Sequence, residues 1–185
     1  MRRLPPIFLL LLLLPACYDL TQKKETYVAE AKNSMVFPRG IRLSNPGNIK
    51  RNDIEWQGMT RLQDDKVFVR FSSPYHGIRA LTKLLINYKR LHDCDTITLI
   101  IARYAPTTEN NTASYIRNVS TRTGFFPNEL LNMEDIDTLV KIAQAITIHE
   151  NGFPPVELPA NWFDDDVYYS AAEDALDEDY YGTSP

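Results

Sequence analysis

Cysteine is nearly absent: the 185 residues hold two, Cys17 and Cys94. No disulfide framework can therefore hold this chain, and a hydrophobic core must do so. Histidine is almost as scarce. His76, His92 and His149 are the only three, and their spacing fits no short metal motif, so neither metal nor cofactor is expected. No apolar run reaches the ~20 residues that a bilayer crossing needs. Basic residues vanish after Lys141. There is no internal repeat, which excludes solenoids and propellers.

What is present at the N-terminus is a leader. Arg2 and Arg3 precede an unbroken apolar run at 7–14, closing on Leu14-Pro15-Ala16-Cys17. Residues 1–16 read as a signal peptide. The sequence ending in Cys17 resembles the lipobox of bacterial lipoproteins, which implies cleavage before Cys17 and its acylation. A membrane partner through that lipid anchor follows, in the bacterial cell envelope. Tyr18 after the cysteine points, by the same resemblance, to the periplasmic face of the outer membrane. Residues 17–38 are polar and read as a tether. Cys94, left alone, is expected to be a buried small hydrophobe.

The other end is acidic. From residue 142 on there are 10 acids and no bases, while residues 17–141 carry 18 bases against 14 acids, net +4. That is too small a charge to indicate nucleic-acid binding. Residues 161–185, where Asp and Glu interleave with Tyr168, Tyr169, Tyr180 and Tyr181, are expected to form a loose acidic tail.

Between tether and tail, residues 39–160 are enough for one domain. Asn45-Pro46-Gly47-Asn48 is a turn signal. Val67-Phe68-Val69-Arg70-Phe71 alternates like a strand and could pair with the segment at 56–60 in a small hairpin or three-stranded sheet. Helices follow. Residues 75–91 carry a stripe of Ile78, Leu81, Leu84, Leu85, Tyr88 and Leu91. Asp95 is expected to cap a short helix ending at Tyr104 before Pro106, Asn111 to cap one over 112–123 that Gly124 ends, and Asn132 to cap the last. The expected class is α+β, mainly helical, with a small antiparallel sheet near the start.

The last helix carries the chemistry. Ile136, Leu139, Val140, Ala143, Ile146 and Thr147 share one face, and Glu150 lies on that face in the final turn. A carboxyl there sits at the edge of a core, half shielded from water, where a general acid belongs. The plain alternative is a solvated helix-end glutamate before an ordinary Asn151-Gly152 stop. A glutamate at a helix C-terminus opposes the dipole, a mild cost that implies some use.

An ordered series of short motifs adds to this. Arg39-Gly40-Ile41-Arg42 precedes Asn45-Pro46-Gly47-Asn48-Ile49 and Trp56-Gln57-Gly58. Phe71-Ser72-Ser73-Pro74, Gly77-Ile78-Arg79-Ala80 and Tyr104-Ala105-Pro106 come next. Glu109-Asn110-Asn111-Thr112, Tyr115-Ile116 and His149-Glu150-Asn151-Gly152 close the series. Taken together they resemble the small muralytic proteins of phage virions and prophages, across about 39–155. That family in turn resembles lysozyme-like lytic transglycosylases, with the glutamate-bearing helix moved to the end, as in a circular permutation.

The resemblance implies a lysozyme-like domain that acts on peptidoglycan strands with Glu150 as the single catalytic acid and base. It implies Asn48 and Tyr104 as cleft residues near the reacting sugar, with Glu109, Asn110, Tyr115 and Trp56 as further substrate-binding candidates. Asn110 or Asn111 could instead be a cap, and Trp56 could stack on sugar or cover the hairpin. A true hydrolase would need a second acid, for which Asp53, Glu55 and Glu109 are available. A metallopeptidase is disfavoured by the histidine spacing. A wall-binding lipoprotein without catalysis is the alternative from another class.

Overall fold

The computed structural model describes residues 37–108 and 111–180, with side chains through 177. From Pro38 on, the described residues belong to one compact unit. The leader, Cys17 and most of the tether lie outside the described residues, as do Glu109 and Asn110.

Six helices make up most of the described residues: α1 Arg39–Arg42, α2 Pro74–His92, α3 Ile97–Tyr104, α4 Thr112–Thr123, α5 Ile136–Asn151 and α6 Asp165–Tyr180. Local chemistry sets their ends. Pro74 opens α2, where a missing N–H costs nothing, and Asp93 ends it in the left-handed region at φ 52°. Asn111 caps α4 by accepting from the Ser114 N–H, and Gly124 closes it. Two expected caps are replaced by neighbours. Thr96, not Asp95, caps α3 through the Leu99 N–H, because Asp95 is engaged by Lys89 at 2.8 Å. Asp135, not Asn132, caps α5 through the Thr138 N–H, while Asn132 accepts from Glu134 N one turn earlier.

The core gathers around α5, most of whose residues are buried. Leu139, Ile142 and Ile146 meet Ile78, Leu81 and Leu85 of α2 together with Ile97, Ile100 and Ile101 of α3 in one cluster. Leu91, expected in the α2 stripe, is exposed instead, since the last turn of α2 projects past the core. Cys94 is buried and free, and burial pushes its thiol up. Among the described residues no helix is long and apolar enough to cross a membrane.

The acidic segment is not loose over its described part. It forms α6, with Tyr168, Ala171, Ala172 and Ala175 fully buried and packed chiefly against α2. Their i, i+3, i+4, i+7 spacing is a helical stripe. Three of the four are alanines, so the stripe is weak in hydropathy and the charge dominates the sequence. Asp165, Asp166, Glu173 and Asp177 are exposed, whereas Asp174 accepts from buried Arg79 Nε and from Tyr75 OH, both at 2.8 Å.

The small sheet is also reduced. Two isolated antiparallel bridges, Lys50 with Phe68 and Met59 with Phe71, are all that pair in strand fashion among the described residues. Backbone bonds run from Val69 N to Ile49 O and from Thr60 N to Arg70 O, but side chains interrupt the ladder. Gln63 takes both the N–H and the C=O of Arg70 at 2.8 Å, and Asp65 Oδ1 accepts from Val67 N and Phe68 N.

Candidate functional site

Three separate segments converge on the end of α5. The first is the turn at 44–48. Asn45, wholly buried, staples it: Nδ2 donates to Ile49 O and Val69 O, and Oδ1 accepts from Ile49 N, all within 2.9 Å. Asn48 leaves the turn in the left-handed region at φ 51°, a conformation asparagine tolerates. The turn packs closely on α2, where a Cβ at Gly77 would run into the Ser44 carbonyl.

Asn48 Nδ2 donates to Glu150 Oε2 at 2.9 Å. From α4, the buried Tyr115 hydroxyl donates to Glu150 Oε1 at 2.8 Å. Both carboxyl oxygens are thus held, and Glu150 itself is half-buried. Tyr115 is fixed in turn by its ring, stacked on His149 at 3.5 Å and 14°. Asn118 Nδ2 donates to His149 Nδ1 at 3.2 Å, which requires that nitrogen unprotonated. Burial lowers the His149 pKa, with Arg122 acting the same way and the Glu150 charge opposing.

Tyr104, at the C-terminus of α3, donates its hydroxyl to Gly47 O and meets Tyr115 edge to face at 6.3 Å. Its phenol is pushed well above the ordinary tyrosine value by burial first and then by the Glu150 charge. Tyr115 is pushed up likewise, by burial, then by Tyr104 and Glu150. Both phenols stay neutral at physiological pH and act as donors.

Of these groups Asn48, Tyr104 and Glu150 line a cavity of about 340 Å³, together with Trp56 and Pro106, while Tyr115 does not reach it. That volume is within the ~300–1,000 Å³ of ligand pockets. The structure thus brings together Glu150, Asn48, Tyr104, Tyr115 and Trp56. Trp56 lines the cavity, and its indole N–H is buried without a partner. Lys50, Asn52 and Tyr88 also line it and were not singled out by sequence. Lys50 and Asn52 lie in a segment with no periodicity of its own, and Tyr88 reads as part of a core stripe. Asn111 is a cap.

No protein-family model matches the chain. Over 120 residues it is 39% identical to Protein P5 of Pseudoalteromonas phage PM2, which covers 63% of this chain and 73% of that protein. The chain belongs to the Protein P5 family.

What this member of the Protein P5 family can do chemically is set by the cavity. Glu150 is the only acid among the described residues lining it. Asp53 and Glu55 are exposed and do not line it. Among the described residues no group of three or more His, Cys, Asp or Glu side chains is placed to hold a metal. A carboxyl with two fixed donors keeps a defined orientation, and each oxygen retains a lone pair for a further partner. One carboxyl facing a polar and aromatic cavity can give a proton to a bound molecule and take one back.

Proposed function

We propose that this protein is a peptidoglycan lytic transglycosylase. The observation that carries the reading is the Asn48–Glu150–Tyr115 constellation on a cavity with a single described carboxyl. In the proposed reaction protonated Glu150 gives its proton to the oxygen linking the muramyl sugar to the next glucosamine. The C1–O bond breaks, and the glucosamine leaves with a free hydroxyl. The muramyl C6 hydroxyl then closes onto C1, and Glu150 takes that hydroxyl proton. The product carries a 1,6-anhydro end, the acid is regenerated, and no water is consumed. The second carboxylate of a glycosidase activates water or itself attacks C1, and here the muramyl C6 hydroxyl takes that place.

Tyr115 and Asn48 orient the Glu150 carboxyl, while Tyr104 holds the Gly47 carbonyl and so the turn that carries Asn48. Trp56 supplies an aromatic face for sugar. The fold reading that goes with this function is a lysozyme-like domain, circularly permuted. Its support is the position of the glutamate-bearing helix α5 after the segments that flank it in space. The proposed setting is the bacterial envelope, with Cys17 acylated as a membrane anchor and glycan strands as partner.

The test is mass spectrometry of purified sacculi digested with the protein lacking its leader. Anhydro-muramyl ends are the expected product. Reducing ends would make it a hydrolase, and binding to sacculi without any product would make it a wall-binding protein. Glu150→Gln, which keeps the size of the side chain, should abolish lysis while folding and wall binding persist.

A further inference from the structure

Gly40 sits buried inside α1, where alanine would favour the helix and no left-handed φ calls for glycine. Its surroundings explain it. A Cβ there would stand 2.5 Å from Asn151 Oδ1, 2.6 Å from Asn48 Oδ1 and 2.9 Å from Asn45 O. Two of these oxygens, on Asn48 and Asn151, are buried with no hydrogen-bond partner. Two side-chain amides thus turn their oxygens toward one glycine, within reach only of weak C–H donation, and spend their nitrogens elsewhere. Asn48 Nδ2 goes to Glu150 Oε2 at 2.9 Å. Asn151 Nδ2 goes to Pro46 O at 2.7 Å and Thr147 O at 2.9 Å. Asn45 N closes the set on Gly40 O at 2.9 Å.

The final torsion of asparagine is broad and roughly two-fold, so the Asn48 rotamer does not by itself aim its donor. Aim comes from the space around it. Oδ1 lies over Gly40, where a Cβ would displace it, and the Glu150 carboxyl takes the Nδ2 end. Asn151 fixes the height of the turn against the last turn of α5, next to the carboxyl it serves. We propose that Gly40 and Asn151 are positioning residues that aim the Asn48 amide at Glu150. Neither needs to touch substrate. The kinetic part of the test rests on the transglycosylase reading; the spectroscopic part does not.

Gly40→Ala should lower kcat on soluble glycan strands about 10- to 100-fold, the range for a misplaced catalytic group, with KM within twofold. Gly124→Ala is the control. It strains a φ of 79° where a Cβ would meet nothing within 4 Å, so the melting temperature should fall with kcat unchanged. Asn151→Ala removes contacts rather than adding a clash, and carries the test if Gly40→Ala does not fold. Independently, NMR of the parent should show the Asn48 side-chain amide resonance moving as Glu150 ionises, and the variants should lose that coupling. A Gly40→Ala protein with parental kcat, whose Asn48 amide still follows Glu150, overturns the proposal. A parent that cuts no glycan but loses the NMR coupling in the variants keeps the brace and rejects only the transglycosylase reading.

Discussion

Replacing Tyr115 by phenylalanine tests the site with little disturbance of the fold. The substitution deletes one hydroxyl and keeps the ring that stacks on His149 at 3.5 Å. What is lost is the bond to Glu150 Oε1 at 2.8 Å. A hydrogen bond to a charged group is worth about 1.5–3 kcal/mol, and ~1.4 kcal/mol corresponds to a tenfold rate change. The full range therefore spans about one to two decades. Glu150 is only half-buried and faces an open cavity, so water can take over part of the lost donation, and the lower end, about tenfold, is expected. The effect should fall on kcat, because the hydroxyl addresses the carboxyl from behind and not the sugar. The same bond also contributes to stability, so denaturant unfolding should fall by up to about 1.5–3 kcal/mol, with no further loss because ring volume is retained. The assay pairs the rate of anhydro-end release from soluble strands with urea melts of the same preparations. A normal kcat with a substantial loss of stability would reduce Tyr115 to packing. A raised KM with normal kcat would make it a substrate ligand instead of an orienting one.

Other predictions concern α6. Burial pushes the Asp174 carboxyl up, but bonds from Tyr75 and Arg79 outweigh it and hold the pKa below the ordinary value. A depressed folded-state pKa gives stability that is complete above the unfolded value, ~3.9, and is lost as pH falls through the folded one. Urea melts at pH 7 and pH 3 should therefore show a drop for the parent that Asp174→Asn shares only in part; an identical drop in both proteins would contradict the linkage. Ala172→Leu adds volume at a site with no exposure and should destabilise by about 1–3 kcal/mol in equilibrium unfolding. A neutral result would mean that α6 is not packed as described. Removal of α6 altogether should expose the Tyr75–Arg79 face of α2 and promote aggregation, read by light scattering.

Much of the helix plan was legible because its causes are local. The cap Asn111 and the stop Gly124 each act within four residues and located α4 closely, and the apolar stripe located α2. The same holds for α5, whose apolar face put Glu150 at the edge of a core. Errors arose where two local candidates competed, as with Asp95 and Thr96, or where the favourable term was small per residue. The alanine stripe of α6 is such a case: each methyl gains little, and only the close approach of α2 makes four of them decisive against a run of acids. The short sheet failed for a related reason, since Gln63 and Asp65 satisfy backbone groups that alternation assigns to a partner strand.

By itself, then, the sequence located α2, α3, α4 and α5, with the caps of α3 and α5 misassigned, and put a carboxyl at the last turn of the most buried one. Tertiary structure alone decided what that carboxyl meets. Tyr115 and Asn48 lie 35 and 102 residues away along the chain, and no local interaction brings them to Glu150. Their meeting is the product of a core whose free energy is spread over every buried contact, with α1 and the turn pressed against the end of α5 as one consequence.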